Sequence, residues 1–529
     1  MSKLIAAAQW TRNLSDSVWT ASLSDRTALV EHGTGRAYKY AELRDAVHRF
    51  AAALVRRVHT PCEVVALVCN NSAEFVVAYH GTLLAGGVVL PLEPSGSVHE
   101  WQHVLARCAA RHVVADTATW ERLAAVPAAA SLRTAIVLGE TGAPQGRANV
   151  DVLPRPRHHV DVVPWSRWLS EPPTEHEPAP GDTNTALLVA SSGSLGTPKQ
   201  IVLSHRNLLS NLDQIDAVHH LTKRDVVLGL TPFRHIYGMQ MAMNPSLRAG
   251  GKLVTVSGPF TVDHLLEVVE AHRITVAYLV PSVLTELAMR GDIAGRDVSS
   301  LRLVYSGAAP LPENVAQTCA RMLGAPIVQG YGMTEAGCTF APPDGAEPVP
   351  SSIGMALPHT GIRLVDPESG QDGESGEIWV RGPQVSPGFL DEDGSVRPLT
   401  DDEGWLHTGD VARRSADGRV TITGRLKQLI KYKGHQVAPA ELEEILLSHW
   451  AISDAAVLGV PDELAGEIPA AFVVPAVPVD LAEVTAYVAN RVAPYKKIRW
   501  IKAIDAIPRS ATGKAQVRQL KDQWSEAQS

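Results

Sequence analysis

The stretch from Ser191 to Lys199 combines residue types that can bind phosphate. It reads Ser-Ser-Gly-Ser-Leu-Gly-Thr-Pro-Lys and follows an apolar run, Thr185 to Ala190. Glycines let backbone N–H groups approach an anion closely, hydroxyls donate further hydrogen bonds, and a lysine adds a mobile positive charge. The pattern predicts a buried strand that ends in a phosphate-binding loop. The residues expected to contact phosphate are Ser191, Ser192, Gly193, Ser194, Gly196 and Lys199.

This loop is not a P-loop, in which Gly, Lys and Ser or Thr are consecutive. Here Pro198 precedes Lys199, and Gln200 follows it. By itself the stretch is also typical of an ordinary polar turn between a strand and a helix. The elements and motifs in the rest of the chain decide between the two interpretations.

Strands and helices alternate on both sides of this loop. Val64 to Cys69 is predicted as a strand, Asn70 to Ser72 as a turn and cap, Ala73 to Leu84 as a helix and Val88 to Leu92 as the returning strand. Further strands are predicted at 226–230, 253–256, 274–280, 301–305 and 326–329, with helices from Ile236 and after Pro281. The alternation predicts an α/β fold whose parallel sheets are covered by helices.

Two changes in composition and pattern suggest where the chain divides into domains. Residues 139–182 are rich in Pro, Gly, His and Arg, which predicts a surface excursion. Short strands and turns follow Gly376, and a charged stretch with an amphipathic helix near Pro439 to Ser448 follows Gly424. We expect a large domain at 1–424, built of stacked α/β subdomains with a small β-barrel-like part, and a small mobile α+β domain at 425–529.

Composition excludes several classes of protein. Of the 529 residues, 45% are hydrophobic and 20% charged, which are ordinary globular values, and the net charge of -8 argues against a nucleic-acid surface. Five cysteines without paired spacings indicate neither a disulfide framework nor a zinc site. No signal peptide and no membrane-spanning run is recognisable, so we expect a cytoplasmic protein.

Later motifs recur in a fixed order after the loop. They are Thr231-Pro-Phe-Arg-His-Ile-Tyr-Gly238, Ser306-Gly-Ala-Ala-Pro-Leu311, Gln329-Gly-Tyr-Gly-Met-Thr-Glu-Ala336, Gly376-Glu-Ile-Trp-Val-Arg-Gly382, Gly404-Trp-Leu-His-Thr-Gly-Asp410, Gly424-Arg-Leu-Lys-Gln-Leu-Ile-Lys-Tyr-Lys-Gly434 and Pro508-Arg-Ser-Ala-Thr-Gly-Lys514. Over nearly the whole chain this set resembles the adenylate-forming enzymes, which include acyl-CoA synthetases, adenylation domains of peptide synthetases, and luciferases. Residues 430–441 and 460–467 most resemble 4-coumarate–CoA ligases.

The resemblance implies an ATP site and a magnesium ion. Thr334 and Glu335 match the pair that contacts the α-phosphate and Mg²⁺, and a carboxylate is a suitable hard oxygen ligand. Asp410 matches the residue that binds the ribose hydroxyls, and Arg425 stands beside it. The adenine would stack on Tyr331, with a wall formed by Ala308, Ala309 and Pro310 and by the flanking Gly330 and Gly332.

The resemblance also assigns roles in the C-terminal part. Lys514 matches the lysine that bridges the substrate carboxylate and the α-phosphate during adenylation. Lys427 matches a hinge about which the small domain rotates after that step. Such a hinge needs only one or two residues to absorb a large backbone change. Lys431 and Gln436 match positions that approach the nucleotide and acyl group.

The acid and its acceptor stay open at the level of sequence. His235 matches the histidine that closes the acyl pocket, which Tyr237, Met239 and Gly307 line, together with Cys338 where coumarate ligases commonly carry proline. An aryl, arylpropenoyl or medium aliphatic acid would fit. The acceptor is CoA in one hypothesis and an amine in the other, as in amide synthetases of antibiotic biosynthesis; a non-catalytic scaffold is disfavoured because Glu335, Asp410 and Lys514 are all present.

Overall fold

The computed structural model describes residues 13–19, 24–57, 62–124, 131–139, 160–170, 172, 185–191, 199–257, 261–293, 295–349, 351–433, 435–462, 464–509 and 515–528. The strands in chain order are β1 (Thr27–Glu31), β2 (Ala37–Lys39), β3 (Val64–Val68), β4 (Val88–Pro91), β5 (His112–Asp116), β6 (Thr134–Leu138), β7 (Asp161–Pro164), β8 (Thr185–Ser191), β9 (Lys199–Ser204), β10 (Val226–Gly229), β11 (Lys252–Thr255), β12 (Val276–Leu279), β13 (Leu303–Ser306), β14 (Ile327–Gln329), β15 (Tyr331–Met333), β16 (Gly337–Ala341), β17 (Met355–Ala356), β18 (Gly361–Val365), β19 (Ser375–Arg381), β20 (Gly388–Leu390), β21 (Val396–Pro398), β22 (Leu406–Arg414), β23 (Val420–Arg425), β24 (Ile430–Tyr432), β25 (His435–Val437), β26 (Ile452–Asp462), β27 (Gly466–Pro475) and β28 (Trp500–Ala503).

The α-helices are α1 (Leu14–Val18), α2 (Tyr40–Val55), α3 (Ala73–Leu84), α4 (Val98–Arg107), α5 (Thr117–Ala124), α6 (Trp165–Trp168), α7 (His205–Val218), α8 (Asn244–Arg248), α9 (Val262–His272), α10 (Pro281–Arg290), α11 (Glu313–Leu323), α12 (Pro439–Leu447), α13 (Leu481–Ala489) and α14 (Val517–Gln528). A π-helix spans Gly238–Met243, and short 3₁₀ turns span Leu426–Gln428 and Pro494–Lys496.

Two large, mostly parallel sheets form the body of the protein. One has nine strands in the order β21-β20-β9-β8-β4-β3-β5-β6-β7, and the other has seven in the order β14-β13-β12-β10-β11-β1-β2. The central strands are continuous apolar runs, such as Val-Val-Ala-Leu-Val in β3, because both of their faces are covered. Among the described strands, antiparallel pairing is confined to one end of each sheet, formed by β21, β20, β9 and β8 in the nine-stranded sheet and by β2 and β1 in the seven-stranded sheet.

The largest core lies between these two sheets. It is filled by α2, α3, α7 and α8, and it also contains side chains of β3, β8, β10 and β12. Packing is tight enough that a Cβ added to Gly81 of α3 would lie 2.6 Å from the ring of Phe50 on α2. Helices α9 to α11 cover the other face of the seven-stranded sheet, and α4 and α5 that of the nine-stranded sheet. The carboxyl ends of the parallel strands of both sheets therefore border the site described below.

Three smaller sheets complete the fold. An antiparallel sheet of β18, β19, β22 and β23 shares a core with the three-stranded sheet of β15, β16 and β17. Toward the C-terminus, β24 to β28 form a sheet with α12 and α13 against one core and α14 against another. The predicted mixed α/β fold with parallel sheets is confirmed. The division into 1–424 and 425–529, with a hinge at Lys427, stays a prediction.

Most predicted elements lie within two residues of the observed ones, with two exceptions. The segment 139–182 is not wholly a surface excursion, because β7 pairs with β6 and the side chain of Trp168 on α6 is fully buried. Its residues 140–159 and 173–182 lie outside the described part. The loop after β8 leads into strand β9 and not into a helix, so it joins two antiparallel strands. Among the described helices none is long and apolar enough to cross a membrane.

Buried histidines make the stability of this fold dependent on pH. Burial lowers the pKa of His80 to about 3 and those of His205 and His219 to about 4. In the unfolded chain, where histidine pKa values are near 6.5, these three groups therefore bind more protons than in the folded chain between about pH 4 and 6.5. Each of them lowers the free energy of unfolding as pH falls through this window, by up to about 1.4 kcal/mol per pH unit, whereas Glu443, whose pKa burial raises to about 7, acts in the opposite direction.

We predict that His80→Leu weakens this pH dependence, because it removes the group with the largest shift. Urea unfolding at several pH values between 7 and 5 measures the slope. His103→Gln, at an exposed position on α4, serves as the control and should keep the parental slope. A parental slope in His80→Leu would contradict the assignment.

Candidate active site

The two ends of the predicted phosphate loop are held together by the sheet. Ser191 ends β8 and Lys199 begins β9, and the two residues are direct partners across the strand pair. Ser191 is buried, whereas the ammonium group of Lys199 lies 4.1 Å from the centre of the Phe389 ring on β20. Ser192, Gly193, Ser194 and Gly196 lie outside the described residues. The loop is therefore the connection of a β-hairpin whose base is fixed.

Glu335 stands next to this base. Burial raises the pKa of its carboxyl group, and a hydrogen bond from Ser191 together with the positive charges of Arg425 and Lys199 opposes that rise. The backbone carbonyl of Glu335 accepts the N–H of Ser386 at 2.8 Å, which fixes the turn after β15. Thr334 precedes it in the same turn and is partly buried. Burial thus disfavours the ionised form of this carboxyl group, and a nearby cation would favour it.

Asp410 is the centre of a second cluster. Its carboxylate is 3% exposed and accepts a hydrogen bond of 2.6 Å from the hydroxyl of Tyr331 and one of 2.6 Å from Nε of Arg425. The register of β22 and β23 brings Asp410 and Arg425 together as direct partners. Both carboxylate oxygens are therefore engaged, one by each neighbour. Burial and the Asp410 charge raise the pKa of Tyr331, so its hydroxyl stays protonated.

A glutamate that sequence reasoning missed supports Asp410. The carboxylate of Glu377 on β19 accepts the N–H of Gly409 at 2.8 Å and the indole N–H of Trp379 at 2.7 Å. It holds the turn immediately before Asp410. The only signal in the sequence was its place in the Gly376 to Gly382 motif.

At three glycines near the candidate site, an added side chain would clash with a neighbouring residue. A Cβ added to Gly307 would lie 2.9 Å from the ring of Tyr237, one on Gly330 would lie 1.6 Å from the hydroxyl of Tyr305, and one on Gly332 would lie 2.3 Å from the carbonyl of Gly337. Ala308, which follows Gly307, has a φ of 74°, a left-handed conformation that a non-glycine residue rarely adopts. Ala309 and Pro310 continue this loop after β13. A side chain at Gly307, Gly330 or Gly332 would therefore displace a neighbouring residue.

Of the residues predicted for the acyl pocket, Tyr237 lies against Gly307. The hydroxyl of Tyr237 donates to the carbonyl of Tyr305 at 2.9 Å. Met239 is fully buried in the π-helix, a distortion that often occurs at functional sites. Burial raises the pKa of Cys338 to about 12, so its thiol is neutral and not a nucleophile.

Asn211 of α7 fixes the backbone at Cys338. Its side-chain oxygen accepts the N–H of Cys338 at 3.0 Å, and its amide group donates to the carbonyl of Cys338 at 2.7 Å. Because proline has no N–H, it could not make the first of these bonds. Asn211 can therefore accept this hydrogen bond from a cysteine at position 338, but not from the proline that coumarate ligases commonly carry there.

His235 lies in the turn after β10. Burial and the neighbouring Arg234 lower its pKa to about 4, against the opposing effect of Glu93, so the imidazole is neutral at physiological pH. Its backbone N–H donates to the carbonyl of Pro232 at 3.1 Å. A neutral imidazole can accept or donate a hydrogen bond without placing a charge in the pocket.

The C-terminal candidates are only partly described. Lys431 on β24 pairs directly with Gln436 on β25, so the two belong to one hairpin, and the N–H of Lys431 donates to the Glu467 carboxylate at 2.9 Å. The side chains of Gln436 and Lys427 and the whole of Lys514 lie outside the described residues. Their roles stay predictions.

Two family models together match most of this chain. The family model described as AMP-binding enzyme matches residues 17–390, and that of the AMP-binding enzyme C-terminal domain matches 441–514. The 4-coumarate–CoA ligase-like 9 of Oryza sativa subsp. japonica is 38% identical over 525 residues, covering 95% of this chain and 90% of its own length.

Solved structures extend this likeness to the fold. ATP-bound MatB from Rhodopseudomonas palustris aligns with a TM-score of 0.85 and 28% identity over 97% of this chain and 99% of its own. The amide bond synthetase McbA from Marinactinospora thermotolerans aligns with a TM-score of 0.82 and 24% identity over 98% of this chain and 100% of its own, which concerns the fold alone.

We predict that Cys338→Pro lowers the free energy of unfolding by about 1–3 kcal/mol, because the buried oxygen of Asn211 loses its donor. Cys338→Ala is the matched control, since it removes the thiol but keeps the N–H. Urea unfolding of both variants measures the difference. Equal stabilities would show that the bond to Asn211 is unimportant.

Proposed function

Because this chain belongs to the AMP-binding enzymes, the adenylate-forming acid–CoA ligase family, we propose that it joins a planar aryl-type carboxylic acid to coenzyme A through an acyl-AMP intermediate. A carboxylate oxygen of the acid attacks the α-phosphorus of ATP, the bond between the α- and β-phosphates breaks, and pyrophosphate leaves. The sulfur of CoA then attacks the acyl carbon, the thiol proton is lost, and AMP leaves. Such transfers depend on positioning and charge neutralisation.

The observation that carries the adenylation step is the convergence of charges around Glu335. Ser191 and Lys199 at the hairpin base and Arg425 all act on its carboxyl group. In the proposal Lys199 neutralises the outer phosphates, Thr334 contacts the α-phosphate, and the cluster of Asp410, Tyr331 and Arg425 holds the nucleoside. Since both oxygens of Asp410 are already engaged, a ribose hydroxyl would share them with Tyr331 or Arg425.

The donor set at Glu335 fits magnesium. No group of three His, Cys, Asp or Glu side chains that could hold a metal occurs among the described residues, so most ligands would come from phosphate and water, as Mg²⁺ prefers. Glu335 would supply the protein ligand; burial raises the pKa of its carboxyl group, and a bound cation would favour the ionised form. When bound, the ion would offset negative charge on the phosphates.

Lys514 is proposed as the residue that meets the acid's carboxylate and the α-phosphate. The C-terminal family model ends at this residue. In the proposal the small domain turns about Lys427 after adenylation and brings the hairpin of Lys431 and Gln436 to the acceptor. The support is the resemblance of these positions, together with the end of β23 at Arg425, two residues before the proposed hinge.

The resemblance to coumarate ligases favours an aryl-type acid. Tyr237, which is predicted to line the acyl pocket, lies against Gly307, so that position has no room for a side chain. The relative from Oryza is named for 4-coumarate, an arylpropenoic acid. A medium-chain aliphatic acid is the less favoured occupant.

An exchange screen tests the proposal without assuming the acceptor. The protein is incubated with ATP, Mg²⁺, labelled pyrophosphate and a panel of aryl, arylpropenoic and aliphatic acids. We expect exchange with aryl-type acids and then thioester formation when CoA is added. Exchange without any thioester, followed by amide formation with an amine, would instead favour an amide synthetase of secondary metabolism, the activity for which McbA is named. Absence of exchange with every acid would overturn the proposal.

Gly307→Ala should raise KM for the acid at least tenfold and leave KM for ATP within about threefold. The new methyl group would meet the ring of Tyr237 and displace the acyl-pocket wall. Gly33→Ala is the control, because nothing lies within 4 Å of its Cβ position. Steady-state exchange kinetics measure both constants, and an unchanged acid KM would place the acid elsewhere.

Glu335→Gln should lower the exchange rate about 10- to 100-fold and raise the Mg²⁺ concentration for half-maximal rate, because a neutral amide loses a charged contact of about 1.5–3 kcal/mol. Glu347→Gln, at an exposed position, is the control. Magnesium titrations of both variants measure the effect. An unaltered Mg²⁺ requirement would exclude Glu335 as a ligand.

We propose a compartment for this protein from the chemistry of its cysteines. All five cysteines, Cys62, Cys69, Cys108, Cys319 and Cys338, are free. We place the protein in a reducing compartment such as the cytoplasm, where free thiols persist.

A further inference from the structure

The loop that carries His235 is anchored from the opposite sheet. Asn71, three residues beyond β3 of the nine-stranded sheet, donates from its side chain to the carbonyls of Gly229 at 2.9 Å and Thr231 at 3.0 Å. Its side-chain oxygen accepts the N–H of Phe233 at 2.7 Å. One buried amide therefore binds three backbone groups of the loop 229–235, which follows β10 of the seven-stranded sheet.

A charged contact joins the same loop to the same sheet. Glu93, two residues beyond β4, forms an ion pair with Arg234, the residue before His235. The carboxylate side chain is 42% exposed and the guanidinium side chain 17% exposed. The pair thus lies at the border between the interior and solvent, beside the imidazole whose pKa it influences.

The turn that carries Glu93 is itself rigidly held. The carbonyl of Glu93 accepts the indole N–H of Trp101 at 2.9 Å, and its side chain accepts the N–H of Ser95 at 3.2 Å. Arg122 donates to the carbonyl of Pro94 at 3.1 Å and stacks on Trp101. Glu93 is therefore a fixed point from which Arg234 can be positioned.

Stability alone does not account for the ion pair. Nε of Arg234 is buried and has no hydrogen-bond partner among the residues that the structure describes, and burial lowers the pKa of the guanidinium. A partly desolvated pair with an unsatisfied donor contributes little net stability, whereas fixing a register is the best-attested use of such pairs. The feature that it fixes is the position of the loop between β10 and the π-helix.

We propose that Glu93 and Arg234 are positioning residues, whose ion pair, together with the anchor at Asn71, sets the place of His235 and Tyr237 at the acyl pocket. Asn71 holds the first half of the loop, through Gly229, Thr231 and Phe233. The ion pair holds the second half, one residue before His235. Without it the anchored half stays in place and the half that bears His235 gains freedom.

Hydrogen exchange on the free protein tests the positional claim. The N–H groups of Phe233 and His235 are both bonded within this region, to Asn71 and Pro232 respectively. In Glu93→Gln we expect His235 N–H to exchange at least fivefold faster and Phe233 N–H to stay within twofold of the parent. Arg122→Gln, which loosens the same turn but keeps both partners of the ion pair, should raise the His235 rate less than Glu93→Gln does and leave the Phe233 rate within twofold.

Kinetics test the consequence for the reaction, and this part rests on the proposed function. Glu93→Gln and Arg234→Gln should each lower kcat of acid-dependent pyrophosphate exchange about tenfold, with little change in KM for ATP and an unfolding midpoint close to that of Arg122→Gln. The charge-reversed double variant Glu93→Arg, Arg234→Glu should recover at least threefold over either single reversal.

Specific outcomes would overturn the proposal. One is parental His235 exchange together with kcat within twofold in both single variants. The other is failure of both variants to fold while Arg122→Gln folds, which would make the pair structural. Absence of any accepted acid in the screen would instead count against the proposed function, because hydrogen exchange needs no substrate.

Discussion

The buried carboxylate of Asp410 is the constraint on which the arrangement of the cleft depends. Burying a carboxylate until it is 3% exposed is unfavourable unless charged or hydrogen-bonding partners replace water. Tyr331 and Arg425 provide these partners at 2.6 Å each. Since Tyr331 belongs to the three-stranded sheet and Arg425 is the last residue of β23, the two contacts of Asp410 join two sheets.

Amide side chains serve a related purpose between other elements. Asn71 binds three backbone groups of a loop from the opposite sheet, and Asn211 binds both backbone groups of Cys338, 127 residues away. An amide offers donors and an acceptor without a charge, so it can satisfy buried backbone groups where strands and helices provide no partner. These two amides therefore fix backbone segments next to residues predicted for the acyl pocket, although they are not themselves predicted to line it.

Sequence patterns predicted the elements well where burial follows a simple period. The unit from Val64 to Leu92 was predicted nearly to the residue because apolar runs, a Ser72 cap and a glycine pair mark its boundaries. Composition misled in the proline-rich segment, since β7 and α6 are short and owe their place to tertiary pairing. The π-helix was not predicted; its first residue is Gly238, where a Cβ would lie 2.5 Å from the carbonyl oxygen of Pro232 and 2.6 Å from that of Thr231.

The candidate site was predictable to a different degree. Motif residues such as Asp410, Arg425 and Tyr331 were predicted and lie together in the structure. Glu93, Asn71 and Asn211 were missed as site residues because their importance lies in partners 127 to 162 positions distant along the chain, which no local pattern reveals. Where Lys514 acts stays a prediction.

The contact between Asn211 and Cys338 bears on how such pockets diverge. A proline at 338 leaves the amide oxygen of residue 211 without its donor, and a residue other than asparagine at 211 leaves the backbone at 338 without its partners. Neither change is neutral while the other position is unaltered. We therefore expect the two sites to be exchanged as a pair in evolution, so that the route between a cysteine-bearing and a proline-bearing pocket is set by the order of the two substitutions.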